Sequence, residues 1–117
     1  MRLKAGIWVK AYIRRCQTEG VPAVVVRHGD DDAGSIFIRI NRLDGTSRIF
    51  GPAPAGLDEM KLDRQLMPAL DGRFVTDADA DEYLRRQSSF DPDLWIIEVE
   101  VRDGRHFLGD WLLDGGG

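Results

Sequence analysis

Three groups of side chains have the types that chemistry requires, and each has a plainer use. Cys16 is the only thiol in the 117 residues. With His28 or His106 as a base it would be a nucleophile, provided that it is exposed and its thiolate is accessible. Its spacing from Val9 and Tyr12 puts it on the apolar side of a helix instead, where a thiol is a buried structural group. His28 and Asp30, with a third ligand from elsewhere, make the best set for a metal ion. The run Asp30-Asp31-Asp32 lacks the alternate spacing of a calcium loop, and the position where the closing glutamate belongs is Asn41. Solvated turn residues account for it better, so no metal and no cofactor are expected. Asp91 and Asp93 form a carboxylate pair, but they flank Pro92 just ahead of a strand, where turn formation explains both. A phosphate loop, a dinucleotide glycine fingerprint, a His-Glu-x-x-His pair and a Gly-x-Ser-x-Gly elbow are all absent from the sequence. No residue is assigned a catalytic role, and a non-enzyme is expected.

The cations are more informative. The formal net charge of −4 is unevenly spread: residues 1 to 28 carry six Lys/Arg against one acid, +5, and the remaining 89 carry ten against nineteen, −9. Lys4, Lys10, Arg14 and Arg15 lie along one side of the first helix, and Arg27, Arg39 and Arg42 stand on adjacent strands. Such a surface suits the phosphates of a nucleic acid, an acidic protein, or a small anionic ligand with Asp30 as an acid. It also suits salt bridges within the fold. The sequence pI of about 5.1 weighs against nucleic acid, whose binders are usually basic.

These residues must be positioned by elements that the patterning marks out. At 100° per residue Ala5, Trp8, Val9, Tyr12, Ile13 and Cys16 share one side of a helix over residues 4 to 19, with Ile7 and Ala11 forming a small apolar strip among the cations. Gly20 caps it and Pro22 forbids its continuation. Val24-Val25-Val26 reads as a buried strand, Gly29 to Gly34 as a turn, and Ser35 to Arg42 as a strand with Ile36, Ile38 and Ile40 on one face. Asp44-Gly45 returns the chain through Thr46 to Phe50, completing a three-stranded antiparallel meander. Gly51-Pro52-Ala53-Pro54-Ala55-Gly56 is a loop, because proline removes ladder donors. Leu57 to Met67 is at most a short helix ended by Pro68, and residues 51 to 71 are expected to be mobile.

Arg73 to Val75 reads as a short strand. Thr76 then caps a helix with Ala80, Tyr83, Leu84 and Gln87 inward and Asp81/Arg85 and Glu82/Arg86 paired outward. Leu94 to Val101 is the clearest strand, central at its start and ending as an exposed edge of glutamates. Asp103-Gly104 turns into a last strand, Arg105 to Leu108. The cluster Trp111, Leu112, Leu113 either anchors in a partner's groove or folds back on the chain's own core.

In combination, Ile7-Trp8-Val9-Lys10-Ala11-Tyr12 with Arg14-Arg15, Arg27-His28-Gly29-Asp30, Asn41-Arg42-Leu43-Asp44-Gly45, Gly51-Pro52-Ala53-Pro54 and Phe90-Asp91-Pro92-Asp93-Leu94-Trp95 resemble a family of short bacterial proteins. That family is domain of unknown function 1491. The resemblance covers residues 1 to 108. It implies a small cytoplasmic α/β protein and brings no activity, cofactor or catalytic residue.

The expected fold is one α/β (α+β) domain over residues 1 to 108, followed by a tail at 109 to 117. It has a mainly antiparallel sheet of four or five strands and at least one packed helix, in the order α-β-β-β-loop-α-β-β. With no apolar run of about 18 residues and no signal-like start, a membrane span is excluded and a cytoplasmic location expected. The expected function is a non-enzymatic module that binds another macromolecule through Lys4, Lys10, Arg14, Arg15 and Arg27, with Trp111, Leu112 and Leu113 as an anchor. The alternatives are a binder or enzyme of a small anionic ligand, a nucleic-acid-binding domain, and a homodimer joined through Ile7/Ala11 or the Val99 edge.

Overall fold

The computed structural model describes residues 3–54 and 64–113. Helix α1 spans Ala5–Thr18 and buries Ala5, Trp8, Val9, Tyr12 and Cys16, the stripe that its periodicity marks. Gly20, at φ +73°, ends it in a Schellman turn, its N–H donating to the Gln17 carbonyl and that of Val21 to the Cys16 carbonyl. Strands β1 (Ala23–Arg27), β2 (Ile36–Asn41), β3 (Thr46–Pro52), β4 (Leu66–Pro68) and β5 (Val75–Thr76) follow. Then come helix α2 (Asp77–Phe90) and β6 (Trp95–Glu100). As capped, α2 begins where its sequence says, with Thr76 Oγ1 accepting from the Asp79 N–H at 3.1 Å.

The α+β class holds, with a sheet of six strands in the order β1-β6-β2-β3-β4 and β5 paired to β3. It is mixed, because β6 runs parallel to β2. Each face carries one helix. Ile36, Ile38 and Ile40 face α1 in a core with Trp8, Tyr12, Phe50, Ile97 and Val99. The alternate residue Phe37 joins Ile49, Ile96, Ala80 and Leu84 beneath α2. No helix among the described residues is long and apolar enough to cross a membrane.

Several expectations are corrected. The meander fails at its first pairing: β1 joins β6, not β2, because the turn after β1 is tied to the residues that open β6. The Asp30 N–H donates to the Asp93 carbonyl at 2.9 Å, and Trp95 Nε1 donates to the Asp30 carbonyl at 2.9 Å. As a consequence β6 is central throughout; Val99 is fully buried and offers no edge for a two-fold contact. The same exchange leaves β1 at the rim. Val24, Val25 and Val26, expected to be buried, are 57%, 42% and 57% exposed.

The Asp44-Gly45 turn exists, but the loop runs from Arg42 to Gly45, with Leu43 at φ +64° and Gly45 at +91°. Gly51 and Pro52 extend β3 into its pairing with β4, past the point where β2 stops pairing, so the donor that proline lacks is not required by β2. A Cβ on Gly51 would stand 2.8 Å from the Phe37 ring. Of the expected helix and loop at 51–71, residues 55–63 lie outside the described residues; Leu66–Pro68 is strand and Leu70–Gly72 a 3-10 turn. Asp81 does not pair with Arg85 but turns inward to Arg39, and Glu82 holds Arg85 at 2.7 Å and Arg86 at 3.9 Å. No strand forms at Arg105–Leu108, where Phe107 at φ +59° breaks the extended run and the Leu108 N–H turns back to His106 Nδ1.

Candidate functional site

Among the described residues, no neighbouring element uses the outer side of β1. Among the described residues it pairs only with β6, in the register Ala23 to Val99, Val24 to Glu98 and Val25 to Ile97. A bulge between Val25 and Arg27 lets Val26 and Arg27 face the same way. Edge strands are commonly blunted with lysine or proline; three exposed valines do the reverse.

A groove flanks this edge on each side of the sheet. Toward α1 it is about 500 Å³, walled by Ile7, Val9, Ile13 and Val25, with Trp95 beneath. Lys10 lines it, and Ile7 is 53% exposed. At its far end His28 stacks on Trp95 at 4.1 Å, with Nε2 3.1 Å from Asp31, and Lys4 pairs with Asp32 at 3.7 Å. Toward α2 a groove of about 350 Å³ is lined by Val26, Arg27, Leu84, Arg85, Ser88 and Glu98.

Behind this second groove lies Arg39, whose side chain is 10% exposed. Its Nε donates to Ser47 Oγ at 3.0 Å, Nη1 pairs with Asp81, and Nη2 lies 3.3 Å from Asp77 Oδ1. Burial opposes the charge, but the carboxylate of Asp81, then those of Glu98 and Asp77, more than offset it and raise the guanidinium's pKa. The sequence marked Arg39 as a surface cation; it is a core ion whose carboxylate partners come from another strand and a helix 38 to 59 residues away.

The structure does not bring the five cations of the expected binding surface together. Lys4 is tied to Asp32. Arg15 leans over the Trp111 ring at 3.8 Å and donates to the carbonyls of Phe107 and Leu108. Arg27 sits on the α2 side and donates to the Pro92 carbonyl at 3.0 Å. Of the cations on α1, only Lys10 and Arg14 have neither an ion pair nor a side-chain hydrogen bond or ring contact among the described residues.

Trp111, Leu112 and Leu113 are engaged within the chain. Trp111 packs on Trp8 at 4.8 Å, Leu112 bridges to Leu66, and the Leu113 N–H donates to the Leu66 carbonyl at 2.7 Å. Cys16 is fully buried, with burial pushing its thiol pKa up, the opposite of what a nucleophile needs. The Asp30 carboxylate accepts from the N–H groups of Asp32 and Ala33, and Asp91 from that of Asp93, so both shape turns. His28 reaches Asp31 rather than Asp30. The grooves escaped the sequence because a β-branched run reads alike in a central and an edge strand.

A family model described as "Protein of unknown function (DUF1491)" matches residues 3–109. No curated protein matches. The crystal structure of a DUF1491 family protein from Caulobacter crescentus CB15 is similar at 38% identity and TM-score 0.78, over 97% of this chain and 99% of that one. The solution structure of protein Atu0922 from A. tumefaciens is similar at 35% identity and TM-score 0.80, over 97% of each chain.

Proposed function

The chain belongs to the DUF1491 family of proteins of unknown function, and on that footing we propose that it is a non-enzymatic module that binds another protein by accepting an extended segment of it as an added strand on β1. The observation that carries this is the open, valine-lined rim of β1 with a groove on either side. In strand addition the main-chain hydrogen bonds supply affinity and pockets for alternate side chains supply selectivity. An edge of this kind left bare is an aggregation hazard, so a use that covers it is physically reasonable. This moves the binding surface from the cations of α1 to the strand beside them. A small-anion site, which needs Lys10, Arg14, Arg15 and Arg27 on one concavity, has no support from their placement on separate sides. The module acts in the cytoplasm on this reading, where a lone buried thiol such as Cys16 stays reduced.

The test is capture of partners from a bacterial lysate on the immobilised protein and on Val25→Lys, with hydrogen exchange measured on the complex. The reading expects bound partner to slow exchange across residues 23–27 and Val25→Lys to lose it. Capture undiminished by Val25→Lys, unchanged exchange in β1, or consistent absence of any captured protein overturns it.

A further inference from the structure

We infer that residues 105–113 form a strap across α1 and the far end of the sheet, and that a proton on the His106 ring releases it. This stands apart from strand addition, because the strap ends on β4, at the opposite rim from β1. The closed strap is held at a few points. Tyr12 Oη donates to the His106 carbonyl at 2.7 Å, and Arg15 Nη1 donates to the carbonyls of Phe107 and Leu108, each at 3.1 Å. Gln65 Nε2 donates to the Asp110 carbonyl at 3.1 Å, and Trp111 packs on Trp8 at 4.8 Å. The Leu113 N–H closes the far end on the Leu66 carbonyl. Release bares Trp8, Tyr12 and the outer side of β4.

Closure carries strain that opening relieves. Phe107 is held at φ +59°, a left-handed conformation that costs a bulky residue free energy. The Trp8 Nε1–H, in the ring beneath Trp111, and the Arg48 Nε–H, in the side chain over Phe50, are buried without an acceptor. His106 makes the balance depend on a proton. Its Nδ1 accepts from the Leu108 N–H at 3.0 Å, a bond that requires Nδ1 to be unprotonated. The imidazole meets the Phe50 ring edge-on at 5.2 Å, and the guanidinium of Arg48 lies over the same phenyl ring at 4.7 Å, so a charged His106 faces a permanent cation. The other neighbours offer no relief. On α1, Tyr12 and Cys16 are kept neutral by burial and Arg15 is engaged with the strap carbonyls. Within the strap, Arg105 pairs with Asp103 and Glu19, and no carboxylate pairs with the His106 ring among the described residues. Burial and Arg48 accordingly hold the closed ring's pKa below its ordinary 6.5. As pH falls from about 6.5, the open ring takes up a proton that the closed ring rejects, and acid favours release.

The test is amide hydrogen exchange of the intact protein at pH 7.5 and pH 5, corrected for the intrinsic effect of pH on exchange. The expected result is lost protection in acid at Leu108, Trp111 and Leu113, about tenfold for each unit by which the closed ring is depressed, with the amides of β2 and β6 unchanged. His106→Asn, whose Oδ1 can accept from the Leu108 N–H without titrating, should stay protected at both pH values. Arg48→Met, which keeps His106 and removes the facing cation, should weaken the acid response. Strap protection that does not change with pH overturns the inference. A response retained in His106→Asn does the same, since it assigns the effect to another group. Strap and core losing protection together shows global unfolding and no separate strap. Should His106→Asn fail to fold, Arg48→Met decides alone, and an undiminished acid response there refutes the role given to the two facing groups.

Discussion

Gly29 lies so close to Asp93 that a Cβ built on it would stand 2.3 Å from the Asp93 carbonyl oxygen, and 2.6 Å from the carbonyl carbon of Leu94. This approach, with the hydrogen bonds from Asp30 to Asp93 and from Trp95 to Asp30, locks the end of β1 to the start of β6. The pairing of β1 with β6, and hence the exposure of the β1 rim, depends on it.

Gly29→Ala therefore has no inexpensive accommodation, since the obstructing atoms are backbone. We expect a loss of about 2–4 kcal/mol in urea unfolding, in the range of severe overpacking, together with faster hydrogen exchange in β1. A loss below about 0.5 kcal/mol would show that the contact relaxes freely.

Arg39→Leu should destabilise by about 2–3 kcal/mol. Breaking a buried pair leaves carboxylates facing one another, but Asp81 is 67% exposed and Asp77 40%, so the solvent recovers part of the cost. Arg39→Lys should regain less than half, because one ammonium cannot reach Ser47, Asp77 and Asp81 together. Chemical denaturation of the two variants decides this, and full rescue by lysine would contradict the forked geometry.

His106 makes stability depend on pH. Burial, reinforced by the positive charge of Arg48, lowers its folded pKa below the ordinary value of 6.5, and Nδ1 accepts from the Leu108 N–H, which requires the neutral ring. The unfolded chain then binds the proton more readily. The contribution is present above about pH 6.5 and is lost as pH falls from there through the lower folded pKa. Melting temperature followed from pH 7.5 to 5 should fall more steeply for the wild type than for His106→Gln. Parallel curves would refute the assignment.

The Trp111 side chain fastens the C-terminal segment. Trp111→Ala removes its packing on Trp8 and Tyr12 and the platform beneath Arg15, at an expected cost of about 3 kcal/mol. Arg15→Ala, which loses the stacking and two hydrogen bonds to carbonyls at a more exposed site, should cost about 1 kcal/mol. Thermal denaturation of both should preserve that order.

Much of the architecture was legible in local patterning. Helix α1 with its Gly20 cap, the alternation of β2, the Thr76 cap of α2 and the apolar run of β6 all follow from neighbours within a few residues. The candidate site was not. Val24-Val25-Val26 is β-branched whether a strand is enclosed or bare, and Arg39 resembles any surface arginine until Asp77, Asp81 and Glu98 are folded around it. Likewise the Asp103-Gly104 turn promised a strand that the left-handed backbone at Phe107 prevents.

What the sequence by itself determined is therefore the set of elements and the face that each buries, because helical and strand periodicity are short-range properties of the chain. The tertiary structure alone decided that β6 slides between β1 and β2. Strand neighbours are chosen by which pairing buries the most two-sided apolar strand, and the Ile96 and Ile97 faces of β6 need a helix on each side, whereas β1 does not. That single non-local choice puts the valines of β1 at the rim, between the two grooves.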